Sequence, residues 1–326
     1  MQSTADLYPY NLLLTQFAIE QGQGGSAINE LLAVPTPTDT QDYSVPKFTS
    51  PVARLQKVST KVGPGGKPNV KDSVAPTFDP GRCERRALRG YVLDEVRAQP
   101  HGDLLGNEIT EQQDKIDDLR MEMEIAVKTA LDAVQSVSNH NASPTTKWDA
   151  ASFAGDPIAD ITAAARQAEI NSLKDMKSGN WRIVIPPLVA DVLSAFLREK
   201  LKYTDSRMQL GGILPDNIVG IPIITPGLMH DTAAAGQTAA FSRVWSSDDV
   251  YLVYVDPGFA GNKRSFTAMA QMRWNNFSPS YGTKVFRDAE QDVLRTWVSV
   301  DIWDHLHVLS NDGIYVLKHV LSVETS

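Results

Sequence analysis

The sequence predicts an α+β fold in which one long helix and several strands form the core behind an extended N-terminal region. Three observations predict it: an apolar stripe at helical spacing around residue 120, apolar runs of strand type after residue 180, and a first hundred residues rich in Pro and Gly. Apolar residues at steps of three and four bury one face of a helix, whereas alternation buries one face of a strand. We therefore expect one large domain or two intertwined domains.

Composition narrows the class of protein. The 326 residues, 42% of them hydrophobic, are enough to bury a sizeable core. No uninterrupted apolar run approaches the roughly 20 residues of a membrane span, so we expect no membrane partner. Residues 1–14 lack the pattern of a secretory signal, and Cys83 is the single cysteine, which excludes an intrachain disulfide and fits a reducing cytoplasm. The formal net charge of -8 argues against tight, general binding of nucleic acid.

Prolines spread through the first hundred residues argue against a compact domain there. The apolar residues between them argue equally against disorder, so we expect this region to lie along another surface. Within it, residues 61–68 form a turn-rich tip, and segments of strand character lie on either side at 53–59 and 83–92. This arrangement predicts a long, exposed two-stranded excursion.

The longest predicted helix runs from about residue 110 to residue 136. Thr110 and Gln113 have the form of a capping box at its start. Its apolar positions recur at steps of three, four and seven: Ile109, Ile116, Leu119, Met123, Val127, Ala130 and Val134. At about 1.5 Å per residue the helix is about 40 Å long, so we expect it to serve as a structural axis.

Helices and strands alternate after this helix. Asp156 and Pro157 have the form of an N-cap and a first helical residue, which predicts a second helix. A third helix is predicted at 188–200. Strands are predicted at 181–185, 221–224, 251–255, 265–273, 296–307 and 314–320.

Opposite charges separate two parts of the chain. Residues 45–100 hold eleven Lys and Arg against five Asp and Glu, a net charge of +6. Residues 103–135 hold three Lys and Arg against nine Asp and Glu, a net charge of -6. Opposite potentials on two elements favour docking of one on the other and set its register. The alternative interpretation is that the two charged segments have unrelated surfaces, each exposed to solvent.

Four residues form the best candidate metal-binding group in the sequence. His305 and His307 share one face of a predicted strand, near Asp301 and Asp304, and offer two imidazoles to an ion. No His or Cys pattern elsewhere supplies the third protein ligand of a catalytic zinc site, so solvated strand-end histidines are the preferred interpretation. The turn at 63–67 lacks the spacing and the Ser or Thr of a phosphate-binding loop. We expect no enzyme activity and no cofactor.

Three segments carry a resemblance to a known family. They are residues 83–98, which lead into the long helix, the segment 156–161 and the strand 181–186. Together with the order of arm, loop, long helix and mixed α/β region, they resemble the major capsid proteins of tailed bacteriophages, which have the Hong Kong 97-type capsid fold. The resemblance covers about residues 10–320.

The resemblance implies four parts of the chain. They are an N-terminal arm (1–42), an extended β-hairpin loop or E-loop (43–82), a peripheral domain (83–184 and 279–308) with its spine helix at about 110–136, and an axial domain (185–278 and 309–326). The arm is expected to tie further neighbouring subunits together.

The implied function is that of a structural virion protein, a major capsid subunit that self-assembles into hexamers and pentamers of an icosahedral shell around the phage dsDNA genome. The implied partners are portal, scaffolding and decoration proteins. The implied contact with DNA is weak and non-specific. The implied location is the virion capsid, after assembly in the host bacterial cytoplasm. The alternatives are an encapsulin-like cargo compartment and, from a different class, a metal-dependent enzyme using His305 and His307. The sequence leaves open the triangulation number, the host and any covalent cross-link.

The resemblance implies a loop that overlaps a neighbouring subunit, and the separated charges then suggest where it lies. The basic loop, about residues 43–80, is expected to lie over the acidic long helix of that neighbour. The residues of this contact are Lys57, Lys61, Lys67 and Lys71 on the loop and Asp114, Asp118 and Glu122 on the helix. Whether the two elements meet between subunits or within one is left open.

Overall fold

The computed structural model describes most of the chain and divides it into two compact units. The described residues are 28–47, 61–62, 66–67, 77–93, 106–150, 154–200, 214–231, 240–262, 265–275, 284–290 and 295–322. The first unit comprises Met1–Tyr43, Pro80–Val127 and Ala270–His307, and the second comprises Ser44–Asp79, Lys128–Met269 and Val308–Ser326. Residues 128–184, which the sequence prediction assigned to the peripheral domain, thus lie in the second unit.

Four α-helices and fifteen strands make up the described part of the chain. The helices are α1 (Ile28–Leu32), α2 (Gly106–Val134), α3 (Pro157–Ser172) and α4 (Pro187–Lys200). The strands are β1 (Val34–Thr38), β2 (Asp42–Lys47), β3 (Thr77–Arg82), β4 (Glu84–Leu93), β5 (Asn141–Ala142), β6 (Trp181–Val184), β7 (Asn217–Ile218), β8 (Ile221–Ile224), β9 (Met229–Asp231), β10 (Phe241–Arg243), β11 (Val250–Tyr254), β12 (Met269–Trp274), β13 (Lys284–Glu290), β14 (Arg295–Val308) and β15 (Ile314–Leu317).

The first unit is built on a five-stranded sheet. Its strands run in the order β1-β12-β14-β13, and β4 also pairs with β14. β1 is parallel to β12, whereas β14 is antiparallel to β4 and β13. Part of the predicted arm therefore belongs to this sheet, because β1 (Val34–Thr38) pairs with β12. Residues 1–27 of the arm lie outside the described residues.

The long helix α2 packs against this sheet. It begins four residues before the predicted start, so the predicted capping box at Thr110 is wrong. Ile116 of the helix packs with Val298 of β14 in a buried apolar cluster. Gly90 of β4 lies against the side chains of Glu111 and Lys115 of the helix.

The second unit is built on a six-stranded sheet in the order β5-β15-β11-β6-β8-β7. β11 is antiparallel to β15 and β6, and all five of its residues are buried. The helix α3 begins where the sequence predicted, because the Asp156 side chain accepts hydrogen bonds from the backbone N–H groups of Ile158 and Ala159. The core includes two fully buried tryptophans, Trp148 and Trp181.

Two sheets of two strands complete the described part of the fold. β2 pairs with β3 at the base of the predicted E-loop, while the predicted strand 53–59 lies outside the described residues. The other predicted loop strand, 83–92, pairs instead with β14 as β4. The second sheet, β9 antiparallel to β10, exposes Met229 and Phe241.

Within the parts of the chain that the structure describes, none of the helices combines the length and the apolar character needed to cross a bilayer.

Candidate assembly surface

One face of strand β4 is exposed, and the aromatic side chains of β14 beside it are half-buried. Along β4 the exposed side chains alternate with more buried ones, as expected for a strand that a helix covers on one side only. The register places Tyr91 opposite Trp297 and Arg85 opposite Trp303. We call the face that carries the exposed Arg85, Arg89 and Tyr91 and the half-buried Trp297 and Trp303 the outer face.

Aromatic and cation–π contacts order the outer face. The guanidinium carbons of Arg89 and Arg295 lie 4.2 Å and 4.4 Å from the ring centroid of Trp297. The Tyr91 ring meets the Trp297 ring edge-on, with 5.4 Å between the centroids. Tyr91 nevertheless remains 50% exposed. Tyr, Trp and Arg are the residues that dominate the binding energy of protein interfaces, so the outer face has the composition of an interaction surface.

The inner face of the same strands holds a buried ion pair. Arg86 donates from Nε to Asp304 Oδ1 at 2.7 Å and from Nη2 to Asp304 Oδ2 at 2.5 Å, which is a bidentate geometry. The Asp304 side chain is fully buried, and Gln271 Nε2 donates to Oδ2 at 2.7 Å. Burial lowers the pKa of Arg86, but the bonds to Asp304 and the nearby Glu122 carboxylate together outweigh burial and leave that pKa raised. The pair fixes β4 to β14.

The predicted acidic residues lie on one face of α2. Asp114, Asp118 and Glu122 are spaced by four residues and are all exposed. Asp114 and Asp118 have no ion-pair partner among the residues that the structure describes. Glu122 differs, because Arg86 Nη1 of the same chain lies 3.4 Å from its Oε2. One acidic residue is thus already paired by an arginine of the basic segment 45–100.

Two of the four predicted loop lysines are described. Lys61 and Lys67 are both exposed. Lys57 and Lys71 lie outside the described residues. Within the described part of the chain, neither Lys61 nor Lys67 has an ion-pair partner. The contact between loop and helix therefore stays a prediction.

His305 and His307 lie beside the hydroxyl of Tyr43. Tyr43 Oη is 2.5 Å from His305 Nδ1 and 3.4 Å from His307 Nδ1. Asp301 and Asp304 are bonded to arginines of β4. No third His, Cys, Asp or Glu joins the two imidazoles in a metal-like cluster, as far as the described residues extend. The four residues that the sequence grouped therefore make separate contacts.

Sequence reasoning missed the outer face and the Tyr43 contact. The outer face had a signal, since Arg85, Arg89 and Tyr91 alternate along one strand and tryptophans alternate along another. The Tyr43 contact had none, because it joins positions 262 residues apart.

Comparisons with known proteins identify the fold. No protein-family model and no curated protein matches the chain. The chain is similar to a phage-related protein from Bordetella bronchiseptica RB50, with 16% identity, a TM-score of 0.67, and 96% and 98% of the two chains covered. It is also similar to a capsid chain of the cyanophage P-SCSP1u, with 14% identity, a TM-score of 0.56, and 98% and 94% covered.

A third similar structure is the mature capsid of bacteriophage PhiM1, with 10% identity, a TM-score of 0.50, and 88% and 84% of the two chains covered. At these identities the comparisons show the fold alone. The chain has the Hong Kong 97-type phage capsid fold, and the fold class predicted from the sequence is confirmed.

Proposed function

We propose that this chain is the major capsid subunit of a tailed bacteriophage, whose copies assemble into hexamers and pentamers of an icosahedral shell around phage dsDNA. The observation that carries the proposal is the similarity of nearly the whole chain to a capsid chain of a cyanophage, with 98% of this chain covered. A shell subunit works through contacts with other copies of itself, so its function depends on its exposed surfaces.

Two exposed surfaces of the first unit support self-assembly. The outer face offers ordered aromatic and Arg side chains, which suit the centre of an interface. The acidic face of α2 offers Asp114 and Asp118, which suit a basic loop from a neighbour. In this proposal the peripheral domain is built on the five-stranded sheet and the axial domain on the six-stranded sheet, with the arm and the E-loop as separate parts.

The charge of the chain fits a container of DNA. A formal net charge of -8 keeps the contact between wall and genome weak, because strong attraction would hold DNA on the wall. The further partners in this proposal are portal, scaffolding and decoration proteins, and assembly takes place in the host cytoplasm.

Sedimentation velocity of the purified full chain tests self-assembly. We expect particles far larger than one 35.7 kDa chain, in equilibrium with capsomers or free subunits. A single species of one chain across the accessible concentrations contradicts the proposal. Nucleic acid inside nuclease-treated particles supports a genome shell, whereas a co-purified cargo enzyme supports the encapsulin-like alternative.

Removing the Tyr91 ring is expected to weaken assembly. Truncation of an interface aromatic at the centre of a contact typically costs 2 kcal/mol or more, so Tyr91→Ala should raise the subunit concentration needed for assembly by roughly 30-fold. The measurement is light scattering against subunit concentration.

The matched control is Tyr91→Phe, which keeps the ring against Trp297 and should assemble like the native chain. Circular dichroism reports whether each subunit is folded, and little change is expected because Tyr91 is half exposed. If Tyr91→Ala assembles as well as the native protein, the outer face is not a contact between subunits.

A further inference from the structure

Two carboxylates and an imidazole meet at one edge of the sheet in the second unit. Asp248 and Asp249 directly precede β11, and His319 follows β15. Because these strands are antiparallel, with Val250 opposite Leu317, the start of one and the end of the other lie at the same edge. Each of the three side chains offers one possible ligand atom, and these three atoms all lie within 4.8 Å of one another.

The backbone and a neighbouring amide hold these groups in place. His319 N donates to Asp249 Oδ1 at 2.9 Å, and Gln135 Nε2 donates to Asp249 Oδ2 at 2.6 Å. Val320 N donates to the backbone carbonyl of Asp248 at 3.1 Å. Hydrogen bonds of this kind orient the ligands of metal sites in proteins. The Asp249 carboxylate is therefore fixed before any ion binds.

Asp248 carries the observation that points to a ligand. Its side chain is only 7% exposed, and its Oδ1 lies 3.5 Å from His319 Nδ1. Its Oδ2 is buried and accepts no hydrogen bond from the described residues. A buried carboxylate oxygen without a partner is costly, because burial removes its hydration and nothing replaces it. Among the described residues, no donor takes the place of the lost water at this oxygen.

The negative charge of the cluster favours a cation, because Asp249 is only 4% exposed and a carboxylate oxygen of Asp248 lies within 4.8 Å of one of its own. Among the described residues, no Lys or Arg lies within ion-pair distance of either carboxylate; Lys318 Nζ donates instead to the Gln135 carbonyl at 3.1 Å. The His319 side chain is 55% exposed, so an ion has access from solvent.

We propose that Asp248, Asp249 and His319 bind a divalent transition-metal ion such as Zn²⁺. Two carboxylate oxygens and one imidazole nitrogen are ordinary zinc ligands, and water takes the fourth position. Mg²⁺ and Ca²⁺ prefer oxygen ligands alone, so the imidazole disfavours them. The bound ion joins the segment after β15 to the start of β11, and it thereby stabilises the second unit.

Zinc uptake by the full chain tests this site. Protein dialysed against Zn²⁺ and then against buffer is expected to retain about one zinc per chain, measured by atomic emission. Asp248→Asn and His319→Ala are expected to lose that zinc. A variant carrying both His305→Ala and His307→Ala is the matched control, and it should retain the zinc because those imidazoles lie beside Tyr43.

Thermal unfolding of the native chain provides a second measurement that needs no variant. Zn²⁺ at a hundredfold excess over its dissociation constant should raise Tm by roughly 5 °C, and Mg²⁺ should not. Absence of zinc from the dialysed native chain, or zinc retained by both ligand variants, overturns the proposal. The site does not rest on shell assembly, so a subunit that binds zinc but forms no particles supports this inference and contradicts the proposed function.

Discussion

Replacement of Arg86 by alanine is expected to lower the free energy of unfolding by about 3–5 kcal/mol, the largest single-residue effect on stability that we predict. The cause is the carboxylate left behind. Asp304 is fully buried and takes both of its short charged bonds from Arg86, so the variant leaves a buried charge with Gln271 as its remaining bonded neighbour. Arg86 Nη1 also donates to the Leu119 carbonyl of α2 at 3.1 Å, which ties the long helix to the sheet. Urea unfolding of the unassembled subunit, followed by tryptophan fluorescence, measures the loss.

The matched control is Arg82→Ala, which removes another arginine paired with an aspartate. Arg82 Nε lies 3.7 Å from Asp42 Oδ1, but the two side chains are 66% and 78% exposed. Ion pairs of this exposure contribute about 0–1 kcal/mol, so little change is expected. Equal urea midpoints for Arg86→Ala and Arg82→Ala would contradict the claim that the buried pair of Arg86 and Asp304 stabilises the first unit.

Reversal of the loop lysines is expected to abolish shell assembly while leaving the subunit folded. The variant carries Lys57→Glu, Lys61→Glu, Lys67→Glu and Lys71→Glu. Like charges brought together across an interface cost several kcal/mol, and the acidic face of α2 presents Asp114 and Asp118. Lys61 and Lys67 are exposed, so their reversal should cost the subunit itself little stability. Particle yield by sedimentation and circular dichroism of the subunit are the two measurements.

A compensating reversal makes this test specific. Asp114→Lys and Asp118→Lys on α2, combined with the lysine reversal, should restore particles if the loop meets that helix. Asp191→Lys with Glu199→Lys is the matched control, since both residues are exposed and lie eight positions apart on α4. Particles of normal yield from the lysine variant alone would show that the loop charges do not direct assembly.

Local signals in the sequence were enough to predict several elements correctly. The N-cap of α3 was predicted from Asp156 and Pro157, because capping depends on neighbouring backbone groups only. The strand β14 was predicted from alternation between residues 296 and 307, and the structure has it at Arg295–Val308. The order of these elements along the chain was sufficient for the fold class.

Pairings between distant segments were not predictable in the same way. Residues 83–92 form a strand, as predicted, but the choice of β14 as their partner depends on packing against α2. Strand preference reflects cross-strand neighbours more than the backbone itself, so tertiary context decides the partner. The same holds for residues 34–38, whose prolines indicated an extended arm and which pair with β12.

The candidate assembly surface was predicted in part. Charge counting found the acidic face of α2, because Asp114 and Asp118 recur at helical spacing. The same count included Arg86 in the basic segment 45–100, although Arg86 pairs with Asp304 of the same chain. Net charge over a segment does not separate a buried arginine from an exposed one, and burial is known only once the strand has its partner.

Electron microscopy of the purified full chain tests the central claim most directly. We predict closed shells with icosahedral symmetry, built of hexamers and pentamers, into whose density a subunit of this fold fits with the outer face or the acidic face of α2 against a neighbour. Open sheets or tubes of hexamers would still show self-assembly of this subunit. A field of separate single subunits at high protein concentration would contradict the claim that this chain is a shell protein.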